Sequence, residues 1–217
     1  MKQNPWLLFA TLLLATSLGA EPAKPLFTEN FEKAELEKMP GGMLVLDGAF
    51  AVQTEGGNKF LELPGAPLET FGVLFGPNQP ADVTVGARIY GTGKGRRFPV
   101  FGVGLNGVSG YRLQVAPAKK TLDLYKGEDL KASVALAWES GKWTQLRLRI
   151  TSLNEGSFAI AGKAWQEGAA EPAAWTIQHS EKESLPPGRS SIWGNPFSGT
   201  PIRFDDLSLW PANKTEK

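Results

Sequence analysis

Two adjacent carboxylates, Asp205 and Asp206, are the residues best suited to chemistry; they lie in the segment PIRFDDLSLW. Paired carboxylates can act as general acid and base, or they can bind a hard metal ion. Neighbouring residues of a strand point to opposite faces, so this pair cannot flank one glycosidic bond without a bulge. Metal binding and local capping therefore fit the pair better than hydrolysis.

The apolar residues around the pair change face along the segment. Ile202 and Phe204 have one parity, whereas Leu207 and Leu209 have the other. A strand can bury both sets only if an extra residue is inserted between them. The pattern predicts a β-bulge at the two aspartates.

Other catalytic groups are scarce. His179 is the single histidine and there is no cysteine, which excludes His clusters, thiol catalysis and Cys-based zinc sites. A general base needs a positioned partner, and the sequence identifies none for His179. We expect His179 to be a solvated residue near a strand end, with a general base as the alternative.

Tryptophans are the candidate ligand-binding residues, because a sugar ring stacks its C–H face on an exposed aromatic side chain. Trp193 lies in a segment rich in Gly, Pro, Asn and Ser that is typical of a binding loop. Trp165 precedes the turn QEGAAEPAA and could meet Trp175 across a hairpin. The alternative is core packing, since Trp is usually well buried.

A basic hairpin loop, GTGKGRRF, adds Arg96 and Arg97 as candidate ligand-binding residues. The loop is either a solvated turn or a contact for an acidic glycan.

Residues 1–20 have the features of a signal peptide: Lys2, an apolar run at 6–14 that is short for a bilayer, and small residues ending at Ala20. An uncleaved membrane anchor is the alternative. Removing Lys2 from 23 basic residues leaves 22 against 22 acidic ones, so the formal net charge is zero. The sequence therefore has no excess of basic residues that would indicate nucleic-acid binding. Export without cysteine predicts a periplasmic or secreted bacterial protein with no transmembrane segment after cleavage.

Short alternating segments occupy residues 24–211, followed by a polar tail at 212–217. The clearest is WTQLRLRI, residues 143–150, and 25 Gly and 16 Pro supply turns. Residues 44–46 and 50–53 flank Asp47-Gly48, which predicts a hairpin, and Gly76-Pro77 is expected to end a strand that starts at Thr70. One polar face per strand indicates antiparallel strands, and many short strands at this spacing predict an all-β sandwich or barrel.

Four segments, FTENFE, GKWTQLRLRI, GKAWQEGAAEPAAWTI and PIRFDDLSLW, resemble in their order the concanavalin A-like, laminin-G-like jelly-roll domains of exported bacterial proteins. The resemblance covers nearly the whole chain after residue 20. It implies an all-β jelly-roll sandwich of two stacked antiparallel sheets with adjacent first and last strands. It also implies a superfamily that includes carbohydrate-binding modules, glycanases and lyases. The Glu-x-Asp-x-x-Glu pattern of its glycosidases is missing here.

The resemblance also implies a structural Ca²⁺ between the first and last strands. Glu32 and Asp206 match the residues that such modules use, and Asn30 and Asp205 could add oxygen ligands. The alternative is that the aspartates cap backbone N–H groups or pair with Arg203.

Three functions follow from this sequence. The first is an exported, non-catalytic carbohydrate-binding or cell-envelope interaction domain, whose partner is a polysaccharide or other glycan. The second is a glycan-active enzyme, a glycoside hydrolase or polysaccharide lyase, with an atypical site. The third is a structural partner of another exported protein.

The leader yields a direct test. Expressed in a bacterium with its leader, the exported protein should begin near Glu21, because signal peptidase cuts after small residues. Intact-mass spectrometry of the soluble product measures this. Met1 retained on an exported, soluble product would contradict the prediction.

Overall fold

The computed structural model describes residues 23–65, 69–197 and 199–212 as two stacked antiparallel sheets. The predicted signal peptide, residues 1–20, and most of the predicted tail, from 213, lie outside the described residues. Within the described part of the chain, no helix is long and apolar enough to cross a membrane. The all-β, antiparallel jelly-roll prediction is confirmed.

Sheet I has eight strands in the order β13-β12-β11-β6-β15-β4-β3, with β1 beside β15. Its strands are β1 (Phe27–Glu29), β3 (Ala51–Glu55), β4 (Asn58–Leu63), β6 (Val83–Gly91), β11 (Trp143–Ser152), β12 (Phe158–Gln166), β13 (Ile177–Glu181) and β15 (Ile202–Pro211).

Sheet II has seven strands in the order β10-β9-β8-β7-β14-β5-β2. Its strands are β2 (Leu44–Asp47), β5 (Phe71–Gln79), β7 (Val100–Leu105), β8 (Tyr111–Ala116), β9 (Thr121–Lys126), β10 (Asp129–Ala135) and β14 (Gly188–Asn195). A 3-10 turn, Asn154–Gly156, joins β11 to β12. The facing sides of the two sheets form one apolar core that includes the buried rings of Phe31, Phe75, Phe101, Tyr111 and Phe204.

Strand β15 lies at the centre of sheet I. It pairs with β6 along one edge, and along the other it pairs first with β4 and then with β1. Adjacent first and last strands were expected and are confirmed. The predicted bulge is also confirmed, because the register to β6 shifts between Asp205 and Ser208, where Asp206 has φ 48°.

Two local predictions are wrong. Residues 44–46 and 50–53 do not form a hairpin, since β2 pairs with β5 in sheet II and β3 pairs with β4 in sheet I. The Asp47-Gly48 turn reverses the chain but carries it from one sheet to the other. Strand β5 also continues past Gly76-Pro77 to Gln79, because the proline sits at an irregularity in the pairing with β14, where no ladder hydrogen bond is required.

A polar cluster links the two sheets at one end of the sandwich. The Tyr111 hydroxyl donates to Glu181 Oε2 at 2.8 Å, and Lys126 Nζ lies 2.8 Å from the same oxygen and 2.7 Å from Glu183 Oε2. The hydrogen bond from Lys126, helped by Tyr111 and opposed by burial, lowers the pKa of Glu181 to about 2. Burial, followed by the bond to Glu181, raises the pKa of Tyr111. The ionised Glu181 therefore holds β13 of sheet I to β8 and β9 of sheet II.

This cluster predicts a pH dependence. The pKa of Glu181 falls from 4.5 to about 2 on folding, so its stabilising effect is full above pH 4.5 and is lost as the pH falls towards 2. Glu181→Gln should melt below wild type at pH 7, and the gap should narrow between pH 4.5 and 2. Glu183→Gln is the control, because that carboxylate is 77% exposed. Thermal melts measure this difference in melting temperature between Glu181→Gln and wild type. A difference that did not change with pH would contradict the lowered pKa of Glu181.

Candidate functional site

A cleft on the outer face of sheet II contains the foremost ligand candidate of the sequence. We call it the Trp193 cleft, and its volume is about 240 Å³. The residues that line it are Thr70, Val100, Phe101, Arg112, Gln114, Tyr125, Glu128, Trp193, Gly194 and Asn195.

The floor of this cleft is an indole ring lying over glycines. A Cβ at Gly72 would lie 2.7 Å from two ring carbons of Trp193, and one at Gly104 would lie 3.1 Å from its Nε1. Nε1 donates to Ser191 Oγ at 2.7 Å, which fixes the ring orientation. Because β5 and β7 carry no side chain at these positions, the ring lies against their backbone.

Polar groups surround the ring. The Arg112 guanidinium carbon lies 5.6 Å from the centre of the Trp193 ring and 5.4 Å from that of Tyr125, close enough for cation–π attraction to both. Two buried polar atoms of the cleft, Arg112 Nε and Asn195 Oδ1, have no protein hydrogen-bond partner. One donor and one acceptor of the cleft residues therefore have no hydrogen bond within the described protein.

The expectation that Trp193 is an exposed loop residue is wrong. It lies in β14, and only 9% of its surface is exposed. The residues from Ser190 to Trp193 are all buried within β14, and the Gly, Pro and Asn residues that suggested a loop follow Trp193. The sequence signal that could have found the floor is the Gly102-x-Gly104 spacing in β7, since glycine inside a strand often marks close backbone approach.

Trp165 lies on the other sheet, on the outer face of β12. The Arg147 guanidinium carbon stands 5.6 Å from its ring centre. The predicted meeting with Trp175 does not hold, since that ring packs between Arg149 at 4.4 Å and Lys163 at 4.8 Å. Trp165 therefore contributes nothing to the Trp193 cleft.

The basic loop also lies outside the cleft. Arg96 and Arg97 are exposed in the connection between β6 and β7, where Arg97 and Lys94 exchange backbone hydrogen bonds at 2.9 and 3.1 Å. A contact of this basic loop with an acidic glycan stays a prediction.

His179 lies within β13, with its ring centre 6.2 Å from that of Tyr111.

The aspartate pair binds a side-chain cation. Asp205 is 1% exposed, and its Oδ2 accepts from Arg88 Nη2 at 2.5 Å and from Asn58 Nδ2 at 3.0 Å. Its Oδ1 accepts from the backbone N–H of Asp206 at 2.7 Å, and Arg88 Nε lies 3.0 Å from Asp206 Oδ2. Burial raises the pKa of Asp205, although Asn58 and Arg88 oppose the rise. The capping alternative thus holds, but the partner is Arg88, while Arg203 pairs with Glu55 and Glu62.

The other two residues proposed as calcium ligands, Glu32 and Asn30, already accept hydrogen bonds from backbone N–H groups. Glu32 Oε1 accepts from the backbone N–H of Lys59 at 3.0 Å, and Asn30 Oδ1 accepts from that of Glu32 at 3.3 Å. Among the described residues, no three Asp, Glu or His side chains are grouped as metal ligands. With Arg88 already on both aspartates, these residues do not fit the Ca²⁺ site that the resemblance implies.

No protein-family model and no curated protein matches the chain. Solved protein structures do match its fold. The carbohydrate-binding module CBM66 from Bacillus subtilis superposes with a TM-score of 0.54 at 13% identity, over 78% of this chain and 95% of its own. The fold is a concanavalin A-like jelly roll.

Two further structures share this jelly roll. The metal-free Emp46p carbohydrate recognition domain has a TM-score of 0.59 at 11% identity, over 89% of this chain and 100% of its own. The PL-14 alginate lyase from Aplysia kurodai has a TM-score of 0.51 at 11% identity, over 86% and 99%. At such identities the likeness shows the fold alone, and this fold carries both binding and catalysis.

The Arg88 arrangement predicts how the last strand is stabilised. Arg88→Gln leaves the buried Asp205 carboxylate without its cation, which costs roughly 3–5 kcal/mol and lowers the melting temperature by on the order of 10 °C. A chelator should leave wild-type melting unchanged, since Arg88 neutralises the pair. Calorimetry measures the melting temperatures of Arg88→Gln and of wild type with and without the chelator. A chelator-induced drop that Asp206→Ala abolishes would instead support calcium.

Proposed function

We propose that this protein is an exported, non-catalytic carbohydrate-binding domain whose ligand occupies the Trp193 cleft. The observation that carries the proposal is the combination of an indole floor with two buried polar atoms, Arg112 Nε and Asn195 Oδ1, that have no protein hydrogen-bond partner. Sugars present a C–H face and a ring of hydroxyls, so they need both an aromatic surface and fixed donors and acceptors. Trp193 offers the surface, and Arg112, Gln114 and Asn195 offer the polar groups.

The chemistry of the cleft supports binding over hydrolysis. Glycosidases need two carboxyl groups about 5–10 Å apart. In the part of the cleft that the structure describes, Glu128 is the sole carboxylate among the lining residues. The cluster of Tyr111, Lys126 and Glu181 offers no second site for a reaction, because the Tyr111 side chain is 1% exposed and cannot reach a substrate.

Two further features support the proposal. The structures with this fold include a carbohydrate-binding module and a carbohydrate recognition domain. The leader-like residues 1–20 support export to the periplasm or beyond, where polysaccharides are met. Calcium is not part of the proposal, since Arg88 holds the carboxylates that would bind it.

Polar substitutions test the cleft better than removal of the ring. Trp193→Ala should cost roughly 3–5 kcal/mol of stability, because the ring is well buried, and this would confuse folding with binding. Asn195→Ala and Gln114→Ala instead remove half-buried polar groups. A glycan array on the mature chain identifies the ligand, and titration calorimetry with that glycan then measures affinity. Each variant should bind about 2–10-fold more weakly, the effect of losing one hydrogen bond.

Asn154→Ala is the matched control, since Asn154 is exposed in the 3-10 turn outside the cleft. It should bind as wild type does, and all three variants should melt close to wild type. A chain that binds no glycan on the array contradicts carbohydrate binding. A chain that binds a glycan with unchanged affinity in both cleft variants contradicts the location.

A further inference from the structure

A second groove crosses the outer face of sheet I, on the opposite side of the sandwich from the Trp193 cleft. It consists of two cavities, of about 470 and 640 Å³. Both are lined by Gly86, Arg147, Ser208 and Trp210, so they lie side by side over the middle of the sheet. We call the two cavities together the sheet I groove. Its length across several strands suits a chain-like ligand.

Small residues make the floor. Gly86 of β6 pairs with Arg147 of β11 on one side and with Ser208 of β15 on the other. A Cβ at Gly86 would lie 2.9 Å from Ser208 Oγ, so even a methyl group would push on the neighbouring strand's side chain. A larger residue at this position would fill the groove.

Tryptophans flank the floor. Trp210 is 40% exposed, an unusual exposure for so large an apolar side chain. Trp175, which also lines the groove, is held by Arg149 at 4.4 Å and Lys163 at 4.8 Å from its ring centre. The fixed ring and the exposed ring give a ligand apolar surface to contact.

Charged residues of both signs line the groove. The cations are Lys33, Arg147, Arg149 and Lys163, and the carboxylates are Glu29, Glu171 and Asp206. Arg147 Nη1 and Lys163 Nζ both lie 2.8 Å from one oxygen, Glu171 Oε1. Two positive charges thus share one negative charge, and Arg147 is 48% exposed, whereas Lys163 is 9% exposed. Arg147 lines both cavities, so an anionic group on a ligand in either cavity would reach it.

We propose that the sheet I groove binds an anionic saccharide chain, with Arg147 on a carboxylate or sulfate and Trp210 on a sugar face. Aromatic surface alone would suit a neutral glycan, and cations alone would suit any polyanion. Their combination over a glycine and serine floor favours an acidic sugar. The proposal does not depend on the Trp193 cleft, which lies on the other sheet.

Titration calorimetry of the mature chain tests this with four probes: a short oligogalacturonate, a sulfated oligosaccharide, a neutral oligosaccharide and a single-stranded DNA oligonucleotide. Wild type should bind an acidic oligosaccharide, more weakly as salt is added. Arg147→Gln should weaken that binding about tenfold, Trp210→Ala should also weaken it, and Gly86→Val should block it by filling the floor. Comparing the carboxylated with the sulfated probe identifies the anionic group.

Lys142→Gln is the matched control, since Lys142 is 46% exposed and pairs with one carboxylate, that of Glu139. It should bind as wild type does. Unchanged affinity in folded Arg147→Gln and Gly86→Val overturns the site, as does failure to bind either acidic probe. DNA that binds as tightly as the acidic saccharides overturns the saccharide assignment.

Discussion

The ion pair between Arg88 and Asp205 is the interaction on which sheet I depends. Asp205 is 1% exposed and would be a costly buried charge without the guanidinium at 2.5 Å. It stands at the bulge where β15 leaves β4 and joins β1. The bulge lets Phe204 and Leu207 both reach the core from one strand. Without it, one half of β15 would present its apolar side chains to water.

The two outer faces of the sandwich are built differently because their glycines serve different purposes. On sheet II, Gly72 and Gly104 make room for a side chain of the protein itself, the indole of Trp193. On sheet I, Gly86 lies under a groove that no ring of the described residues fills. The first arrangement makes a small cleft with a fixed aromatic floor, and the second leaves a larger groove.

The sequence predicted those features that depend on alternation. The parity switch from Phe204 to Leu207 located the bulge, because a period of two leaves no other way to bury both residues. It could not identify Arg88 as the partner of the aspartates, since that pairing depends on which strand lies beside β15. Asp47-Gly48 shows the same limit: a turn signal reports that the chain reverses, and tertiary packing decides which sheet the next strand joins. Trp193 was assigned to a loop because residues just beyond the strand dominated the local composition, while its burial depends on glycines far away in sequence.

The pairing of β1 with β15 has a mechanical consequence. Phe27 lies opposite Leu209, so the first described strand starts where the last one nearly ends. A force pulling these two ends apart would load one hydrogen bond at a time and unzip the pair, rather than shear all its bonds together. Strand β1 has three residues and would peel away first, while β15 would keep its pairing to β6. Tension between neighbouring segments would therefore release this strand well before it disturbed either outer face.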